Sequence, residues 1–320
     1  MKNIPIGVME HVGVVMEDLA AARVLFHEKL ALPIADYPES EDGPAFAVKV
    51  GKTLIRVAST QSVDARMGRR GVNHVAFKVS SLGQAQEILK EAGAKIQAEQ
   101  ATGSGMRSAI WSDPATTIGI PLQFLDKGAA LEFKEPSKQP FIERVDHLGI
   151  AAESGDRARK LYVDGLGWTL ESTQTDSEFL VPIEVTSNDK YGATSHSHQP
   201  IAKVGSGLIA LFVTVGDFDL EIMQPIGAAK ISTPLGTIPG SVGQDQGAIA
   251  QALQKRGEGL LHICFKVPDI DAAIARVTAE GIAMIDPVSR PGSRSGRIAF
   301  MDRRSTERVL LHFIQRTPIE

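Results

Sequence analysis

Short apolar runs punctuate the chain, and four of them open in the same way. Glu10-His11-Val12-Gly13-Val14, Asn73-His74-Val75-Ala76-Phe77, Asp146-His147-Leu148-Gly149-Ile150 and Leu261-His262-Ile263-Cys264-Phe265 each set one histidine in a run of strand type. After the last of them, Ile270, Ala273, Ile274 and Val277 recur at helical spacing, with Asp269 suited to cap the helix and Gly281 to stop it. A second apolar run, residues 309–314, follows and contains His312. The pattern predicts strand, helix, then two or three strands, a βαβββ unit.

The unit repeats. Phe77-Lys78-Val79 matches Phe265-Lys266-Val267, each three residues after a histidine at the phenylalanine, and Trp111-Ser112-Asp113 stands where Phe300-Met301-Asp302 stands later. Ten residues beyond those aspartates come Gln123 and His312. With the starts at His11 and His147, four copies account for most of the chain. In the first, residues 12–16 read as a strand, 19–30 as a helix, and 45–50 and 53–58 as a hairpin around Gly51-Lys52. The fold class expected is α+β, four βαβββ units paired into two cup-shaped domains, residues 1–130 and 141–320, joined by a charged linker with two prolines. His11 and His74 are 63 positions apart and His147 and His262 are 115, so the second domain holds roughly fifty extra residues. They fall at 182–204 and 228–251, and read as loop insertions, either lids or substrate loops or plain surface excursions.

Composition narrows the class. At 320 residues and 43% hydrophobic content the chain can fill two ordinary cores, and a net charge of −4 provides no basic footprint for nucleic acid. The single Cys264 lies within an apolar strand pattern and reads as a buried thiol, which excludes an intrachain disulfide. No apolar run has membrane-spanning length and the first residues lack the apolar core of a signal peptide, so a cytoplasmic protein is expected. A small-molecule partner is expected, and a homodimer stays open.

The residues 255–265, Lys255-Arg256-Gly257-Glu258-Gly259-Leu260-Leu261-His262-Ile263-Cys264-Phe265, with Arg297-Ile298-Ala299-Phe300, Ser305-Thr306 and Val309-Leu310-Leu311, resemble methylmalonyl-CoA epimerases. Asp219-Leu220-Glu221-Ile222-Met223-Gln224-Pro225 is similar to a strand of the same group. As a pattern the resemblance extends over almost the whole chain and is to the vicinal oxygen chelate superfamily, which also holds glyoxalase I and the extradiol dioxygenases. It implies two glyoxalase-like cups, each with four strand positions pointing inward. In the second domain those positions fall on His147, Glu221, His262 and His312. A histidine or carboxylate inside an apolar run is costly unless such groups converge on one another or on a cation, which supports the same assignment independently. Three imidazoles and a carboxylate suit one divalent transition metal per chain, Zn, Fe, Mn, Co or Ni.

The equivalent positions in the first domain are His11, Arg56, His74 and Gln123, and an arginine opposes a cation, so that cup is expected to hold no metal and to be structural or anion-binding. In the second, His312 replaces the glutamate of glyoxalase and epimerase relatives, and Ala210 stands where the epimerases keep a second acid/base carboxylate. Two-base epimerisation is therefore not expected. The activity expected is metal-dependent chelation of a small oxygenated substrate with stabilisation of an enolate or oxyanion, as an isomerase or lyase. A ring-cleaving dioxygenase using Fe(II) or Mn(II), and a non-catalytic binding or resistance protein, are the alternatives. His312, His196 and His198 are candidate bases, and Arg294 and Arg297 in the glycine-rich segment 290–297 are candidate substrate contacts.

Overall fold

The computed structural model describes residues 8–37, 43–100, 108–128, 130–180, 183–189, 192–197, 203–226 and 242–316. Each domain is built on one eight-stranded sheet, and the two sheets have the same plan. In the first, the opening strands of its two units, Val8–Met16 and Gly71–Lys78, run antiparallel side by side at the centre. Each is flanked on its other side by the last strand of its own unit, Thr53–Ser59 or Leu122–Leu125, in parallel. The second sheet repeats this with Arg144–Ala151 against Gly259–Lys266, flanked by Phe218–Ile226 and Leu310–Gln315. Four βαβββ units in two cups are thus what the chain forms.

The helices begin where the sequence supplies a cap. Asp18 accepts from the amides of Ala20 and Ala21 ahead of Leu19–Arg23, and Asp269 from those of Asp271 and Ala272 ahead of Ile270–Ala279. Ser81 and Ser154 do the same for the other two units. The apolar residues Ile270, Ala273, Ile274 and Val277 are buried, as their spacing requires, and Gly281 follows at φ +79°. In the first and third units the helix relaxes into a π-helical turn, Val24–Lys29 and Lys160–Gly165, which no pattern in the sequence announces.

The described parts of the insertions form regular structure. Around the first, strands Thr169–Leu180 and Lys203–Val215 lengthen into a long antiparallel pair, and the chain between them contains a second hairpin, Ile183–Asp189 with Gly192–Ser197. The second ends in a 15-residue helix, Val242–Arg256, where a loop was expected through residue 251. Its buried Ile249, with Ala252 and Leu253, packs on Leu208, Ala210, Met223 and Leu261 inside the second cup. Burial of that face offsets the ordering cost that its glycines impose.

One apolar cluster runs through both domains, from Val12 and Phe46 to Phe265 and Phe313. Tyr162 is fully buried at the join, where its hydroxyl donates to the Thr117 carbonyl at 2.8 Å and its ring stacks on Trp168, which in turn meets Phe77. Between the domains the chain is strapped to the first sheet by mutual bonds of Ile34 and Lys134. No helix among the described residues is long and apolar enough to cross a membrane.

Candidate metal centre

Four central strands of the second sheet carry His147, Glu221, His262 and His312, and their register brings the side chains together. Gly149 pairs with Glu221 on one side and His262 on the other, so the residue between the two is the one without a side chain. The His262 ring occupies that space: a Cβ on Gly149 would lie 2.0 Å from its Cε1. His147 lies two residues earlier on the same face, and His312 pairs with Cys264 in the neighbouring strand.

All four side chains are buried. Oε2 of Glu221 is 3.2 Å from His147 Nε2 and 3.6 Å from His262 Nε2, and one donor atom from each of the three residues lies within 4.8 Å of the others. Neither Nε2 has the alignment of a hydrogen bond, and among the described residues neither has another partner. Both ring nitrogens of His312 are likewise without a hydrogen-bond partner; its ring stacks on Phe300 at 4.2 Å and stands 4.6 and 5.1 Å from the rings of His262 and His147. Buried imidazole nitrogens aimed at a shared point without bonding each other are what a cation would satisfy. Cys264, also buried, makes a second group of close donor atoms with His147 and His312, and burial pushes its thiol up to about 11.

The surroundings orient His147 and set the charges. Its Nδ1 is 2.9 Å from Asp146 Oδ1, and Asp146 is gripped by Arg316 and by Arg144. Burial alone would raise the Asp146 carboxyl, but the hydrogen bonds from His147 and Arg316 override it and hold it far below the usual range. Burial likewise opposes ionisation of Glu221, and the two histidines outweigh it, so Glu221 is a carboxylate. Burial lowers His262, and burial with the neighbouring imidazoles puts His312 well below its ordinary value, leaving both neutral with lone pairs available. Burial also opposes a charge on His147, but Cys264, Glu221 and Asp146 beside it raise it well above 6.5. The charge His147 attracts marks a place where positive charge is welcome, and a cation there would relieve the imidazole of its proton.

The cluster forms the floor of a cavity of about 720 Å³. Leu208, Ala210, Met223 and Leu261 make an apolar wall, and the helix Val242–Arg256 lies across from them. That helix is pinned to the rim by Arg290, whose two Nη atoms meet the two Asp245 oxygens at 3.0 and 2.8 Å while its Nε meets Asp286. Lys255, Arg256 and Arg303 also line the cavity.

Arg294 and Arg297, expected at the substrate, are committed elsewhere. Arg294 pairs with Asp219 at 2.7 Å and Glu171 at 2.8 Å with its guanidinium over Phe212, and Arg297 pairs with Asp271 at 2.9 Å on the surface; neither lines the cavity. His196 belongs to the strand Gly192–Ser197, and His198 lies outside the described residues. The cations that do line the cavity carry no sequence signal of that role: two of them end a helix whose first ten residues fall within the segment 228–251. Ile249 and Leu253 at i, i+4 before Lys255-Arg256 were the signal for that helix.

The first cup repeats the geometry with different chemistry. Gly13 pairs with Arg56 and His74 as Gly149 does with Glu221 and His262, and a Cβ on Gly13 would lie 1.9 Å from the His74 ring. Here the histidines meet each other, His11 Nε2 to His74 Nε2 at 3.2 Å, and His74 Nδ1 is 2.7 Å from Asn73 Oδ1. Arg56 stands at the carboxylate position, buried, 2.9 Å from Asp64 and over the Tyr37 ring. Burial draws His74 down to about 4, with Arg56 adding to the effect.

Both cups match known proteins. Residues 8–124 and 146–300 each match a family described as the Glyoxalase/Bleomycin resistance protein/Dioxygenase superfamily. Mitochondrial methylmalonyl-CoA epimerase of Dictyostelium discoideum is 26% identical over 114 residues, which span 35% of this chain and 58% of that protein. The uncharacterized protein YqjC of Bacillus subtilis is 24% identical over 174 residues, 54% of this chain and 93% of that one. A variant of 4-hydroxymandelate synthase from Streptomyces coelicolor has the same arrangement over 99% of this chain and 94% of its own, with a TM-score of 0.60 at 15% identity. Two cups of one topology, each matched to that description, make this chain a two-domain member of the glyoxalase/bleomycin resistance protein/dioxygenase superfamily, the vicinal oxygen chelates.

Proposed function

We propose that the second cup is the active site of a divalent-metal-dependent enzyme, with His147, Glu221 and His262 as the metal ligands and His312 as the adjacent base, acting as an isomerase or lyase on a small oxygenated substrate. The observation that carries this reading is the convergence of the buried His147, Glu221 and His262, with the Nε2 atoms of both histidines lacking a hydrogen-bond partner among the described residues. The donor set fits a transition ion: two imidazoles and a carboxylate, with His147 braced by Asp146 as metal-bound imidazoles commonly are. When bound, a divalent ion supplies Lewis-acid polarisation of substrate oxygens.

The remaining work falls to the chain. His312, neutral at pH 7, is placed to take a proton from a carbon next to a carbonyl and return it. Phe300 holds the ring flat at 4.2 Å, which fixes the direction of its nitrogens. The apolar wall and the helix Val242–Arg256 exclude water from a proton so transferred.

Metal analysis of the purified protein is the first test, followed by NMR of 2-oxo acids, 1,2-dicarbonyls and acyl-CoA thioesters in deuterated buffer without oxygen. The expected result is deuterium uptake at the carbon beside the carbonyl, abolished by a chelator. A second reading has its own support, because two histidines and one carboxylate are also the donor set of non-haem Fe(II) oxygenases. Oxygen consumption restricted to the iron- or manganese-loaded protein would favour that reading. Stoichiometric binding with no turnover or exchange under any ion would favour a binding protein.

A further inference from the structure

Three cations on the cavity wall have no counter-ion among the described residues. Lys255 and Arg256 end the helix Val242–Arg256, Arg303 opens the short turn Arg303–Ser305, and all three line the cavity. Nearby arginines are answered by carboxylates: Arg290 by Asp245 and Asp286, Arg294 by Asp219 and Glu171, Arg316 by Asp146. Among the described residues no such pair involves Lys255, Arg256 or Arg303. A helix C-terminus attracts basic side chains in its own right, yet Arg303 comes from a different element and converges on the same wall.

Their fields overlap. Arg303 is lowered by burial and by the charge of Arg256, and Arg303 in turn contributes to the lowering of His262. Arg303 lines the same cavity as both the helix end and the histidine cluster. Like charges gathered beside a half-enclosed apolar cavity repel one another until an anion enters, and charge-assisted hydrogen bonds then form in a partly desolvated setting. Between the arginines and the floor the wall is apolar, with Leu208, Met223, Ile249 and Leu261.

We propose that Arg303, Arg256 and Lys255 form an anion subsite, so that the substrate carries a phosphate or carboxylate joined by an apolar stretch to the oxygens held at His147, Glu221 and His262. The substrate statement rests on the reading of those three residues as the reacting centre; the subsite does not.

The test is calorimetric titration of the full chain, as purified and after chelator treatment, with octyl phosphate, octanoate and octanol. At least one charged ligand should bind about tenfold or more tightly than octanol, the scale of one hydrogen bond to an ionised group. The preference should shrink between roughly 0.05 and 0.3 M sodium chloride, persist after chelation, and disappear in the Arg256→Gln/Arg303→Gln double variant. Single variants and near-ultraviolet circular dichroism report whether the cavity stays folded. Equal affinity for charged and uncharged ligands would overturn the proposal. So would a preference that survives the double substitution, or one that vanishes on chelation while ignoring the arginines, because the anion would then sit on the metal. A protein that takes up no divalent ion yet keeps the arginine-dependent preference would refute the metal reading and leave the anion subsite standing.

Discussion

Gly149→Ala puts the metal assignment under a controlled strain. The added Cβ would fall 2.0 Å from Cε1 and 2.2 Å from Nε2 of His262. Nonbonded carbons settle at about 3.5–4.0 Å, so the ring must retreat by roughly 1.5 Å. A metal–nitrogen bond tolerates only about 0.2 Å. The imidazole cannot make that move and remain a ligand. Disturbing the groups that merely orient a ligand weakens metal binding by about 10–100-fold, so displacing the ligand should cost at least about 100-fold, or about 2.7 kcal/mol. Gly13→Ala is the matched control: it drives a Cβ to 1.9 Å from the His74 ring in the first cup, inflicting the same overpacking, typically about 1–3 kcal/mol of stability, without touching the proposed ligands. Metal content after dialysis, affinity by competition with a chromophoric chelator, and melting temperature should be read on both variants. Metal should leave only the Gly149 variant. Wild-type affinity in Gly149→Ala would refute His262 as a ligand, and loss from Gly13→Ala alone would move the site to the first cup.

Asp146→Asn should weaken metal binding by about 10–100-fold while preserving the ion's identity, because Asp146 orients His147 from outside the ligand set; unchanged chelator competition would contradict this. His312→Ala should retain the metal and lower kcat by about 10²–10⁴-fold as loss of a general base does, whereas concurrent loss of metal would make His312 a ligand. For His74 the folded value near 4 lies below the ordinary 6.5, so the unfolded chain takes the proton first. Its contribution is intact above pH 6.5 and is lost as pH falls toward 4, with about 2 kcal/mol gone by pH 5. Urea unfolding at pH 7 and pH 5 should show that loss diminished in His74→Gln, and an identical pH dependence in the two proteins would count against a buried neutral His74.

The repeat was legible because each unit opens with an apolar run holding one histidine and continues into a capped helix, and these are local features. The convergence of His147, Glu221, His262 and His312 was accessible only through the resemblance and the cost of burying such groups, since 165 positions separate the first from the last. Gly149 carried the geometry of the site yet looked like any strand glycine, because its partner across the sheet is set by register. The segment 228–251 misled for a physical reason: Pro234, Gly236, Pro239 and Gly240 are loop formers, Gly243 falls in the first turn of the helix that follows, and that helix draws its stability from the cup wall. Arg294 and Arg297 are held in ion pairs, a role to which arginine in a glycine-rich turn is as well suited as to a substrate contact. Asp219 and Asp271, remote in sequence, provide one for each.

The apolar cluster common to both cups bears on why a first cup with an arginine at the carboxylate position is there at all. Thr117 receives the Tyr162 hydroxyl, Phe77 meets Trp168, and the backbone at Gly119 comes so close to Glu258 that a Cβ there would lie 2.0 Å from its carbonyl oxygen. Glu258 immediately precedes the strand that bears His262. The first cup is thus the anvil on which that strand is laid, and cooperativity between the halves becomes part of what holds the candidate metal centre in shape. A chain nicked between residues 126 and 143 should remain a tight noncovalent pair that melts in a single transition. The second half alone would have to keep Tyr162 and Trp168 covered without Thr117 and Phe77.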